Sequence, residues 1–202
     1  YTQKTFPMRK QKNIILKEGD SLIADEGIKA FTVENLAARL FMSKKTIYQY
    51  FSTKEALIKG IIVFKLKKQS EGFEKVMESD ADPINKFYKI RDLHIKFSNK
   101  INLKRLVYIK TRYPKIWDII EKYRSERIEN FTKIFLLAKK KGYLRETLDP
   151  IVSAKLFVNI LNTSFRPEFI LKNNINIKEA IYHIQEIVIS GFFNKKLHKK
   201  II

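Results

Sequence analysis

Thr32-Val33-Glu34-Asn35-Leu36-Ala37-Ala38-Arg39-Leu40-Phe41-Met42-Ser43-Lys44-Lys45-Thr46-Ile47-Tyr48-Gln49-Tyr50-Phe51 contains two short helical patterns with a break between them. Thr32 reads as the N-cap of a helix from Val33 to Leu40, its hydroxyl available to the orphan N–H groups of the first turn. Phe41-Met42-Ser43 interrupts the pattern, and Ser43 caps a second run, Lys44 to Phe51. Ser52-Thr53-Lys54-Glu55 then reads as a capping box, with Ser at the cap and Glu three residues later, opening a longer helix. Upstream, residues from about Arg9 to Glu26 carry Ile15, Leu22 and Ile23 at helical spacing and end at Gly27, a residue suited to the C′ position. Three helices, the last two joined by a tight turn, have the layout of a helix-turn-helix module.

Downstream the same punctuation continues. The helix opened at Ser52 places Leu57, Ile58, Ile61, Ile62, Leu66, Phe73, Val76 and Met77 on one side. Asp82-Pro83 and Asp149-Pro150 are start signals of the same kind, an N-cap followed by Pro at the first helical position. Pro83 to about Ser98 forms one helix, Asn99 to Asn102 breaks it, and Leu103 to Ile109 forms a short segment. Pro114 starts a single long helix ending at Gly142. A helix from Pro150 to about Phe165 is interrupted or ended by Arg166-Pro167, and Ile177 to about Asn194 forms the last. The tail, Lys195 to Ile202, is basic. Eight or nine helices and no convincing strand make the chain all-α: an N-terminal three-helix helix-turn-helix domain over residues 1–53 and a C-terminal helical domain over 54–202.

Composition agrees and excludes much. The chain has 202 residues, 45% of them hydrophobic, enough for a real core. Six Gly and five Pro are too few for the turns of an all-β fold. With no Cys there are no disulfides, thiolate nucleophiles or Cys-ligated metals, and the three His are widely spaced, so no metal is expected. No Gly-rich phosphate loop, H-E-x-x-H, nucleophile elbow or paired-carboxylate motif occurs, so neither an enzyme nor a cofactor is expected. The apolar runs are too short to span a bilayer. Lys and Arg number 41 against 21 Asp and Glu, a net charge of +20, but the excess is not concentrated near the N-terminus. Charge of that kind permits a nucleic-acid partner without locating one.

The helix-turn-helix does locate one. In such modules the second helix of the pair lies in the DNA major groove with its N-terminal residues at the base edges. Ile47 and Phe51 are four apart and share a face, so they are the inward anchors. Lys44, Lys45, Thr46 and Gln49 then point outward with the phenol ends of Tyr48 and Tyr50. That face offers donors to phosphate and bases and no acid to repel them.

The runs Thr32-Val33-x-x-Leu36-Ala37 and Thr46-x-Tyr48-x-Tyr50-Phe51-x-x-Lys54-x-x-Leu57 resemble the N-terminal signature of the tetracycline-repressor (TetR) family, without a gap from about Ile14 to Leu57. The resemblance implies a cytoplasmic, homodimeric transcriptional regulator, usually a repressor, with a DNA-binding head and a larger domain that dimerises and binds an inducer. By matched position, Lys44, Lys45, Thr46 and Gln49 would face bases. Thr32, Tyr48, Tyr50 and Lys54 would hold the backbone, and Ser43 would cap the reading helix and touch phosphate. The implied partners are a double-stranded, pseudo-palindromic operator, a small-molecule inducer and a second copy of the chain. One departure stands out: the family usually has a Gly in the turn, which suits a positive φ, where this chain has Phe41.

For the larger domain, Tyr88, Arg91, His94, Trp117, Tyr123, Asn159, Asn162 and Thr163 are the candidate pocket lining, since each sets a polar or aromatic group among inward-facing apolar neighbours. A solid core in which these groups satisfy one another is the alternative. Arg91 and Arg127 could serve an anionic ligand or pair with Asp118, Glu121 or Glu126. Val158, Leu161, Ile184, Val188 and Phe192, on the last two long helices, are the candidates for a four-helix dimer interface. The rival to the whole reading is a basic helical module that lies on a membrane surface or binds proteins. It leaves the N-terminal motif unexplained.

Overall fold

The computed structural model describes residues 8–98 and 102–194. The basic tail from Lys195 and most of the expected break after Ser98 therefore lie outside the described residues. Eleven helices and no strand occur among the described residues: α1 (Met8–Glu26), α2 (Val33–Arg39), α3 (Lys44–Tyr50), α4 (Lys54–Glu78), α5 (Pro83–Ser98), α6 (Leu103–Arg112), α7 (Pro114–Ser125), α8 (Arg127–Lys140), α9 (Pro150–Ser164), α10 (Pro167–Lys172) and α11 (Ile177–Phe192). The fold is all-α, as the sequence predicts.

Most boundaries follow the expected chemistry. Thr32 Oγ1 accepts from the Asn35 N–H at 3.1 Å, and Asp149 Oδ1 accepts from the N–H groups of Ile151 and Val152 at 2.9 and 2.8 Å. Asp82 Oδ1 caps α5 in the same way, 2.9 Å from the Ile84 nitrogen. Two expectations are corrected. The cap of α4 is Thr53, whose Oγ1 accepts from the Ala56 N–H at 3.0 Å, because the helix begins one residue later than a Ser52 cap requires. The single helix expected from Pro114 to Gly142 is two, separated at Glu126, which makes no side-chain cap.

The chain divides into two compact units. The first takes residues up to Lys68 together with Tyr108–Ile119; the second takes Gln69–Val107 and everything from Ile120. This division is not the one expected at residue 53, because α4 contributes to both units and a later segment returns to the first. In the first unit Ile15, Leu22, Leu36, Ile47, Ile58 and Ile61 are sealed from solvent. Here α1 and α4 approach closely through glycine: a Cβ on Gly19 would lie 2.4 Å from Ile61 Cδ1. Lys65 Nζ adds an ion pair to Asp20 at 3.0 Å.

The second unit is built round phenylalanines. Phe87 of α5 meets Phe131, Phe135, Phe157 and Phe193 with ring centroids 5.3–5.8 Å apart. Phe131 and Phe157 meet edge to face at 4.6 Å, a geometry that adds to the burial of the rings themselves. Val158 and Val188 belong to this core, each 1% exposed, so both are corrected as interface residues. The large apolar side chains that α9 and α11 do expose are Ile151, then Val152, Leu156 and Ile160 at intervals of four, and Tyr182 and Ile187. At the C-terminal end of α4, the buried ammonium of Lys86 donates to the carbonyls of Val76, Met77 and Ser79 at 3.0, 2.6 and 2.6 Å. A cation suits the carbonyl end of a helix. Burial holds the pKa of Lys86 below the usual lysine value.

Candidate nucleic-acid interface and ligand cavity

The turn between α2 and α3 is made by hydrogen bonds rather than by glycine. The N–H groups of Phe41 and Met42 donate to the carbonyls of Ala38 and Ala37 at 3.1 and 2.9 Å, the paired bonds of a Schellman stop. The residue at its left-handed position is Phe41, with φ 52° and its side chain 99% exposed. The turn thus keeps the backbone a glycine would adopt, at the cost of strain in an L-residue.

Ser43 then starts α3 twice over. Its Oγ accepts from the Thr46 N–H at 3.0 Å and shares a hydrogen bond with Thr46 Oγ1 at 2.9 Å. Ile47 is fully buried and Phe51 nearly so, which fixes the roll of the helix as expected. Lys44, Lys45, Tyr48 and Gln49 are consequently exposed, while Thr46 and Tyr50 are half-buried. Lys54, the first residue of α4, is also half-buried.

One acid stands in this face, and a reading confined to α3 misses it. Glu34, in the first turn of α2, accepts from Lys44 Nζ at 2.8 Å. The hydrogen bond from Lys44, aided by the charges of Lys44 and Lys54, holds the Glu34 carboxyl below its ordinary pKa. The same hydrogen bond raises the pKa of Lys44. The spacing Glu34 to Lys44 carries no periodic signal; only the folded turn brings them together. Arg39, at the end of α2, is held by Asp25, Glu18 and Glu26 at 3.0, 3.4 and 3.5 Å, with Asp25 the main cause of its raised pKa. It ties α2 to α1 instead of facing outward.

The candidate pocket residues do not converge. Trp117 is buried in the first unit, with Lys110 Nζ 5.6 Å from its ring. Asn159 and Thr163 are exposed on α9 and enclose nothing. The polar strip expected of them faces outward because Phe157 and Val158 take the inner face. Asn162 gives its carbonyl to Arg124 Nη2 at 3.1 Å. Tyr123 shares a hydrogen bond with Ser70 and lines, with Arg127, a mostly polar cleft of about 380 Å³. A second cleft, about 310 Å³, is lined by Lys86, Lys133 and Glu74 among others.

Arg91 and His94 do line one mostly apolar cavity, between α5, α9 and α11. Its volume is only about 30 Å³, against the roughly 300–1,000 Å³ of a drug-sized site. Arg91 pairs with Asp92, Nε to Oδ1 at 2.9 Å, and lies 5.0 Å from the Tyr88 ring centroid. The acids considered from the sequence play no part in that pairing. His94 Nε2 is 3.0 Å from Arg127 Nη1. Burial, with the Arg127 charge a lesser cause, lowers the His94 pKa to about 3. The residue that sequence reading missed is Gln185 of α11, 6% exposed on this cavity. Its position among Ile181, Ile184 and Val188 marks it as the one polar group on an inward stripe.

Comparison with known proteins agrees with this geometry. Residues 15–61 match the family model described as bacterial regulatory proteins, tetR family. An uncharacterized HTH-type transcriptional regulator, YvaF, from Bacillus subtilis strain 168 is 22% identical over 180 residues, covering 88% of this chain and 93% of that protein. A transcriptional regulator of the TetR/AcrR family from Thermobifida fusca superposes with a TM-score of 0.67 at 19% identity, covering 90% of this chain and 98% of its own. A regulator from Saccharomonospora viridis in complex with choline gives 0.72 at 15% identity, covering 93% and 100%.

Proposed function

We propose that this chain, a transcriptional regulator of the TetR family, is a cytoplasmic, ligand-responsive repressor that binds a pseudo-palindromic operator as a homodimer. The observation that carries the reading is α3 itself: two buried anchors, a capped start, and an outward face of Lys44, Lys45, Tyr48 and Gln49. Lys44, Lys45, Thr46 and Gln49 read base edges, with Lys44 first released from Glu34. Thr32, Ser43, Tyr48, Tyr50 and Lys54 hold phosphates, Lys54 from the first turn of a helix whose free N–H groups favour an anion. The exposed apolar faces of α9 and α11 support a two-fold interface, since a stripe such as Val152, Leu156 and Ile160 is costly to leave in water. The choline complex of the S. viridis regulator supports a small-molecule switch, because a protein of this fold there holds a small ligand. Ligand acts only through its differential affinity for the two states of the dimer.

Selection of bound sites from a random DNA library tests the whole reading. The expected consensus has two related half-sites about 34–36 Å apart, centre to centre, or a multiple of that. Recovery of no consensus, or of one without symmetry, overturns it. Within the same assay Tyr48→Phe and Lys54→Ala should weaken all sequences alike, with Lys54→Ala making the salt slope shallower by about 0.9. Thr46→Ala and Gln49→Ala should instead change the consensus. An unchanged consensus removes them from the base-reading set.

A further inference from the structure

We propose that the cavity between α5, α9 and α11 binds a neutral, largely apolar molecule through a single donor–acceptor group, a hydroxyl or a carboxamide, held by Gln185. The inference rests on the ligand-responsive reading above and specifies the chemistry of the ligand.

Gln185 carries it. The side chain is 6% exposed, and neither its Oε1 nor its Nε2 has a hydrogen-bond partner among the described residues. A buried amide left unpaired is costly, whereas an apolar residue of the same shape is not. Leu or Met would fill the same space in a position needed only for packing. The walls around the amide are Phe87 and Ile90 of α5, Phe157 and Leu161 of α9, and Ile181 and Ile184 of α11. Such a site, apolar with one well-placed polar group, is the usual form of a small-molecule pocket.

The remaining polar groups exclude a charged ligand. Arg91 has Nε and Nη2 each 2.9 Å from Asp92 Oδ1, so its charge is already compensated. A guanidinium only donates, so His94 Nε2 accepts from Arg127 and the imidazole proton sits on Nδ1. Burial keeps that ring neutral down to a pKa of about 3. A carboxylate would accept from Gln185 Nε2 but offer nothing to Oε1. An ammonium would donate to Oε1 but offer nothing to Nε2. A hydroxyl or carboxamide both accepts and donates, and so satisfies both ends of the amide. The volume of about 30 Å³ holds only such a group, so the apolar body must displace a wall. The wall placed to move is Phe165, the C-cap of α9, which lines the cavity just before the helix stops at Arg166-Pro167.

Titration of the whole chain with 1-octanol, octanamide and octanoate tests this, followed by the side-chain NH₂ resonances of Gln185 and by calorimetry. Saturable binding of octanol or octanamide that shifts those resonances is expected, with octanoate at least about tenfold weaker. Whichever of the two binds tighter tells alcohol from amide. Gln185→Met should remain folded, at equal or higher thermal stability, and lose about tenfold in affinity for the tighter ligand. Octanoate binding as well as the neutral ligands, or no ligand moving the Gln185 resonances, overturns the proposal. Those resonances decide even if Gln185→Met does not fold. Release of the selected DNA is read separately: binding without release overturns the ligand-responsive reading and leaves the site standing.

Discussion

Phe41 and His94 each occupy a state their residue type disfavours. Phe41 holds φ 52° with its ring almost wholly in solvent, so it supports no packing that would offset the strain. Phe41→Gly should therefore raise stability, by about 1 kcal/mol after the greater entropy of an unfolded glycine is counted. Urea denaturation checks this; a lower midpoint would mean that the ring contributes through contacts made elsewhere. His94 has a folded pKa of about 3, against an ordinary value of 6.5. Below pH 6.5 the unfolded chain binds a proton that the native state refuses. Stability from this site is complete above 6.5 and is lost as pH falls toward 3, by at most about 1.4 kcal/mol per pH unit. His94→Gln should flatten that part of a stability-versus-pH curve. An unchanged slope would show that His94 is protonated in the native state.

Helices in this chain are legible in sequence wherever a cap or a glycine marks them. Thr32, Ser43, Asp82 and Asp149 cap the helices assigned to them, and Gly27 ends α1 with φ 88°. The break at Glu126 was not legible, since neither Pro nor Gly marks it and the apolar period runs through. The anchors Ile47 and Phe51 could be read from their spacing alone. Partners across elements could not: Glu34 beside Lys44, or His94 beside Arg127, are set by how helices meet. The same limit put the core residues Val158 and Val188 among the interface candidates, because α9 is apolar on both faces and periodicity cannot say which one a core takes. Gly19 belongs to this class too, for its role appears only where α1 crosses α4. Gly19→Ala should cost about 1–3 kcal/mol, since Ile61 must leave the space the new methyl needs. Ile61→Val in the same chain should recover part of that loss; no recovery in the double variant would place the strain elsewhere.

At the scale of the molecule, the proposed dimer can be tested on the outward stripes of α9 and α11. Leu156→Glu combined with Ile187→Glu puts carboxylates on the two faces proposed to meet, where a two-fold axis brings like charges together. Both residues are more than half exposed, so the substitution should leave the subunit folded. Light scattering should then report a monomer with an unchanged circular-dichroism spectrum. Such a monomer should bind a single half-site and lose preference for the symmetric pair. A dimer from this double variant would move the interface off these stripes.

Lys86 gives the C-terminal turn of α4 a chemical clock. Its amine is collared by three carbonyls and is 4% exposed, whereas Lys44 and Lys45 stand in solvent. An acylating reagent can reach Lys86 only when that turn unwinds, so its labelling rate counts openings of the helix end rather than intrinsic amine reactivity. Mass spectrometry should find Lys44 and Lys45 modified early and Lys86 among the last, with its rate rising as urea approaches the unfolding midpoint. Modification of Lys86 in step with the solvent lysines would show a helix end that opens freely in the native protein.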